Sequence, residues 1–131
     1  MSENRIIVFV CEHGAAKSII AATYWNKYAQ EQGVRIQGLA RGTYPDIALS
    51  SYAVAGLLED GLIPNQLTPQ KLLPEEVSAA ERVIAFCDLR EVDSKKTNIE
   101  YWENVPAVSE DYGKARDIIV ANLQAMMKDL A

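Results

Sequence analysis

Cys11, Lys17 and Ser18 are the residues whose types and spacing could support covalent chemistry. A cysteine thiolate is a strong nucleophile, and positive charge or aligned backbone N–H groups nearby favour it over the thiol. Five residues separate Cys11 from Lys17, and small side chains at Gly14, Ala15 and Ala16 let that stretch turn tightly. Such a loop presents successive N–H groups as a nest for an oxyanion, and a helix beginning at Ser18 would add its dipole. In this reading residues Glu12, His13, Gly14, Ala15, Ala16 and Lys17 hold the anion, and Ser18 donates to the sulfur or stabilises it as a leaving group. An ordinary buried cysteine on a close-packed strand-to-helix turn is the competing reading. A nucleotide-binding P-loop is a poorer match, because Ala16 and Cys11 stand where two of its glycines belong.

These residues need a strand before them and a helix after them, and the neighbouring sequence supplies both. Residues 6–10 are a continuous apolar run, as in a strand covered on both faces. Residues 18–32 read as a helix stopped by Gly33, and residues 34–39 as a second strand, completing a right-handed βαβ unit. Gly42 to Pro45 is turn material, because Gly42 tolerates positive φ and Pro45 breaks regular pairing. Ser50 or Ser51 caps a short helix to Glu59 that Gly61 ends, and residues 62–71 form a connector. Pro74 opens a helix to about Ala80, and residues 83–87 form a third strand that Cys87 closes. Residues 88–98 read as an exposed polar loop and residues 99–102 as a short edge strand. A last helix starts at Ser109 or Asp111, with apolar residues at helical spacing through Leu130. The expected architecture is α/β, a three-layer α/β/α sandwich on four parallel strands, in one domain spanning residues 1–131.

Cys11, five residues, then Lys17-Ser18 resembles the Cys-(five residues)-Arg-Ser loop of the low-molecular-weight protein tyrosine phosphatases and the related thioredoxin-coupled arsenate reductases. The resemblance extends to Gly42-Thr43 after the second strand, to the third strand, and to the segment from Tyr101-Trp102 to Pro106. It implies a phosphate-monoester hydrolase whose Cys11 attacks phosphorus while residue 17 grips the equatorial oxygens. Lys17 keeps the charge of the family's Arg without its planar fork. Gly14 replaces an Asn and can take the same left-handed backbone. The family's general acid is an Asp directly before the proline of the late loop, where this chain has Val105. Glu103, Glu110 and Asp111 are the substitutes nearest in sequence. Arg41 follows Ala40 in the family's Ser-Ala-Gly-Thr segment and is expected to share anion binding with Lys17.

The same resemblance implies a second chemistry, oxyanion reduction such as that of arsenate, with Cys87 at the position of the first resolving cysteine. Cys87 is otherwise an ordinary buried thiol. A third outcome is an anion-binding or regulatory domain with weak or no turnover. His13 either orients Glu12 or is simply exposed. Tyr44, Tyr101 and Trp102 either wall the pocket or pack at strand ends.

Thirteen Lys and Arg against eighteen Asp and Glu give a net charge of −5, so no general attraction to nucleic acid or anionic lipid is expected. No apolar run is long enough for a membrane span, and the amino terminus lacks an apolar signal region, which together read as cytoplasmic. Two cysteines and one histidine supply no metal site, and no cofactor is implied. The partners implied are a small oxyanion or phosphomonoester, free or on a phosphoprotein, and a thiol reductant if the chemistry is reduction.

Overall fold

The computed structural model describes residues 5–89 and 99–130. Four parallel strands, β1 (Arg5–Cys11), β2 (Ile36–Gly42), β3 (Arg82–Ala85) and β4 (Ile99–Tyr101), form one sheet in the order β2-β1-β3-β4. Helices α1 (Lys17–Gln32), α2 (Ser51–Glu59) and α4 (Tyr112–Leu130) gather on one face, and α3 (Pro74–Ala79) packs against the other. This is the expected three-layer α/β/α sandwich.

The central strand explains its own composition. Side chains alternate across a strand, so Ile7 and Phe9 enter the core beneath α1 and α4, while Val8 and Val10 enter the core beneath α3. All four are fully buried. On the first face Trp25 is also fully buried, and its indole N–H donates to Ile36 O at 2.8 Å.

Strand β2 begins two residues later than expected because Val34 belongs to the end of α1. Gly33 takes φ 69°, and Val34 N–H reaches back to Ala29 O at 2.8 Å while Gly33 N–H bonds Gln30 O. That is a Schellman ending, which consumes the residue after the glycine. The strand also runs on through Gly42, whose φ is not positive. What Gly42 requires is space: a Cβ there would lie 2.6 Å from Gly14 N.

Strand β2 is an edge, and the elements around it cover its outward backbone. Asn26 bonds both Gly38 N–H and Gly38 O, at 2.8 and 3.1 Å. Gly42 N–H donates to Gln70 O and Gly42 O accepts from Leu72 N–H, both at 2.9 Å. Residues 62–71 are therefore a connector that returns to seal the strand.

Strand β3 ends at Ala85, leaving Cys87 two residues beyond it rather than closing it. Phe86 N–H still reaches Val10 O at 2.8 Å, and its ring meets Trp102 edge-on, with centroids 5.8 Å apart. Leu89 is 1% exposed and packs into the α3-side core, so the 88–98 segment is not exposed throughout. Residues 90–98 lie outside the described residues. Helix α2 is capped by Ser50 Oγ, which accepts from Ala53 N–H at 3.3 Å, and Asp111 Oδ1 accepts from Lys114 N–H at the start of α4. No described helix is long and apolar enough to cross a membrane.

Candidate active site

The loop at residues 12–16 leaves the end of β1 and enters α1, at the carboxyl edge of the sheet where ligands of open α/β folds bind. The segment following β2 fixes its shape. Tyr44 N–H donates to Glu12 O at 2.7 Å, Asp46 N–H to His13 O at 3.0 Å, and Ser50 N–H to Ala15 O at 2.9 Å. In a trans peptide the carbonyl of one residue and the N–H of the next point opposite ways. The N–H groups of His13, Gly14 and Ala16 are thereby turned away from the 44–50 segment. Gly14 makes the turn possible with φ 62°, and a Cβ there would sit 2.8 Å from Gly42 N. Backbone conformation and close approach both require glycine at that position.

Helix α1 starts without the usual satisfaction of its first N–H groups. Ala16 occupies the cap position with no side-chain hydrogen bond, and the first turn carries no acidic residue. Four N–H groups at a helix start have no partner within the helix, and an anion is the natural complement. Lys17 stands at this start, and among the described residues it makes no ion pair.

Cys11 is 9% exposed, and its Sγ lies 3.0 Å from Ser18 Oγ, a side chain with no exposure at all. Cys11 lines a cavity of about 390 Å³. It is shared by the loop residues, by Asp46 and Ser50 from the segment after β2, and by Ala107, Val108 and Ser109 from the segment before α4. Cys87 lines this cavity as well. Burial first, then the nearby Cys11, Glu12 and Asp88, push the Cys87 thiol up to about 11, with a partial offset from the Thr43 hydroxyl. Phe86 and Cys87 also border an adjoining cavity of about 510 Å³, which Tyr101 and Glu103 help to line.

Other expected site residues are elsewhere. Arg41 is not brought to the loop. As a β2 residue paired with Val10 it lies on the α3 side of the sheet, where Nε donates to both Glu76 oxygens at 2.9–3.0 Å and one terminal nitrogen reaches Ala40 O. The expectation that it shares anion binding with Lys17 is corrected by this pairing. Asp111 caps α4, and neither Glu110 nor Asp111 lines the Cys11 cavity. Glu103 belongs to the adjoining cavity alone. His13 is exposed, with Nδ1 3.3 Å from Tyr44 O and Nε2 3.7 Å from Glu12. Trp102 is a core residue against Phe9 and Phe86, and Tyr44 is 72% exposed. Among the described residues, no three His, Cys, Asp or Glu gather where they could hold a metal ion.

Solved structures with the same arrangement carry phosphatase and reductase names. The low-molecular-weight protein tyrosine phosphatase from T. tengcongensis superposes with a TM-score of 0.83 at 20% identity, covering 98% of this chain and 100% of that one. The fold is that of the low-molecular-weight phosphatases. The YwlE arginine phosphatase, solved as a variant with a phosphorylated active-site serine, gives a TM-score of 0.81 at 16% identity over 95% of both chains. The thioredoxin-dependent arsenate reductase of Corynebacterium glutamicum gives 0.76 at 20% identity, covering 98% of this chain and 63% of the reductase. No family model matches the sequence, and no curated protein matches it.

Sequence reasoning missed Asp46. It follows Pro45 in a stretch read only as a turn. The available signal was topological: the end of β2 emerges on the same edge of a parallel sheet as Cys11, so the loop after β2 reaches the same site.

Proposed function

We propose that this chain is a cysteine-dependent phosphate-monoester hydrolase, a single low-molecular-weight-phosphatase-like domain acting in the cytoplasm without a cofactor. The observation that carries the reading is the buried Cys11 sulfur, 3.0 Å from Ser18 Oγ, in a cavity lined by residues of the 12–16 loop and Lys17. Its substrate is a small phosphomonoester or a phosphoprotein side chain.

The Cys11 thiolate attacks phosphorus in line with the departing oxygen. The S–P bond forms as the P–O bond breaks, and the leaving oxygen takes the bonding pair. Backbone N–H groups of residues 12–17, with Lys17, hold the equatorial oxygens as their charge grows, the kind of preorganised stabilisation that supplies most of many rate enhancements. Ser18 donates to the sulfur, which eases its later departure. Water then attacks phosphorus, releasing phosphate and restoring the thiolate.

A second reading, oxyanion reduction, is supported by Cys87 lining the same cavity as Cys11 and by the fold's likeness to an arsenate reductase. It predicts turnover that depends on a thiol reductant, and a Cys11–Cys87 disulfide after substrate.

One panel separates the readings: aryl phosphates and arsenate, with and without thiol, on wild type and Cys11→Ser. Hydrolysis without reductant that vanishes in Cys11→Ser is the expected result. Unchanged hydrolysis in that variant would overturn the proposal, and tight phosphate binding without turnover would leave an anion-binding domain instead.

A further inference from the structure

Departure of an alkoxide or phenoxide from phosphorus needs a proton, and a positioned acid is worth roughly 10²–10⁴-fold in rate. The late-loop wall of the Cys11 cavity is formed by Ala107, Val108 and Ser109, none of which can supply one at neutral pH. Val105 is only 5% exposed and carries no proton to give. Only two carboxylates line the cavity among the described residues, Glu12 and Asp46. Glu12 directly follows the nucleophile, and its side chain lies beside His13, with both largely exposed. Asp46, exposed like Glu12, lines the cavity from a different segment, and the bond from its N–H to His13 O ties its backbone to the oxyanion loop.

We propose that Asp46 is the general acid of this site, delivered by the loop after β2 rather than by the loop before α4. The inference rests on the hydrolase reading. As the P–O bond breaks, the Asp46 carboxyl gives its proton to the leaving oxygen. The resulting carboxylate accepts a proton from the water that attacks the S–P bond, so phosphate, the free thiolate and a reprotonated Asp46 are the end state. The ionisable groups sharing the cavity with Asp46 are Cys11, Glu12, His13 and Lys17 from the loop and the start of α1, and Cys87 from beyond β3.

The test is the dependence of kcat/KM on the leaving group, using 2,4-dinitrophenyl, 4-nitrophenyl and phenyl phosphate with wild type, Asp46→Asn, Asp46→Glu and Glu110→Gln. Dinitrophenolate leaves without help, whereas phenolate does not. Asp46→Asn is expected to lose about 100-fold or more on phenyl phosphate and less than about threefold on the dinitrophenyl ester. Asp46→Glu recovers part of the phenyl phosphate rate, a readout that a purely structural role would not give. Equal losses on all three esters in Asp46→Asn, or the leaving-group-dependent loss appearing in Glu110→Gln instead, overturn the assignment while Cys11→Ser remains inactive. Hydrolysis persisting in Cys11→Ser, or absent from wild type on every ester, overturns the hydrolase reading and the assignment together.

Discussion

Helix α1 contributes to two polar clusters built on opposite plans. Near its middle, Tyr24 OH donates to Asp60 Oδ2 at 2.6 Å; Tyr112 OH reaches the same oxygen at 2.8 Å, and Arg116 takes Oδ1 at 2.9 Å. Burial alone would raise the Asp60 carboxyl, but these three donors outweigh it and hold it below the ordinary carboxylate range. Burial, and then the bond to Asp60, push both tyrosine hydroxyls above the ordinary phenol. This cluster ties α1, α2 and α4 together, and it is saturated. At the start of the same helix the first turn has no side-chain cap and no acid, the loop carbonyls are committed to the 44–50 segment, and the first N–H groups find no partner among the described residues. Saturated polar groups hold a fold, whereas arranged and unanswered ones await a ligand.

Three substitutions probe that contrast. Gly14→Ala should have the largest effect, because it combines an unfavourable positive φ with a Cβ 2.8 Å from Gly42 N. A loss of about 3 kcal/mol is expected in chemical denaturation, together with loss of phosphate binding by calorimetry. Asp60→Asn should cost about 2 kcal/mol while leaving phosphate affinity unchanged. Its pH dependence has a definite sign. The Asp60 contribution is full above the unfolded carboxyl value of 3.8 and is lost as pH falls through the lower folded value. Wild-type thermal stability should therefore drop more steeply than that of Asp60→Asn as pH falls below about 4. Lys17→Ala should have the smallest effect on the fold, within about 0.5 kcal/mol, yet weaken phosphate binding roughly tenfold. If Lys17→Ala destabilised the fold as much as Asp60→Asn, the contrast would collapse.

Periodicity made most of the architecture legible. The run at residues 6–10, the stop at Gly33, the cap at Ser50 and Pro74 at the head of α3 each carry one dominant physical signal, and each element formed there. Errors arose where a residue served two elements. Val34 looks like strand material but completes the ending of α1. Gly42 looks like a turn glycine, yet what it supplies is clearance for Gly14. At the site, the Cys11 loop was legible because all its parts are contiguous. Arg41 was misplaced because a strand position does not reveal the face it occupies, and Asp46 because nothing local marks a loop residue that meets a distant one. Two distances in sequence, from residue 13 to residue 46 and from residue 41 to residue 76, hold what the local pattern could not.

The covering of β2 also shapes what the whole molecule can do in company. A bare edge strand is a template on which another chain can add itself, the first step of runaway sheet growth. Here Trp25, Asn26, Arg41 and the returning connector occupy that template at Ile36, Gly38, Ala40 and Gly42. A second copy approaching from this side meets side chains and a connector already in place instead of an open ladder, so the sheet is closed to recruitment along β2.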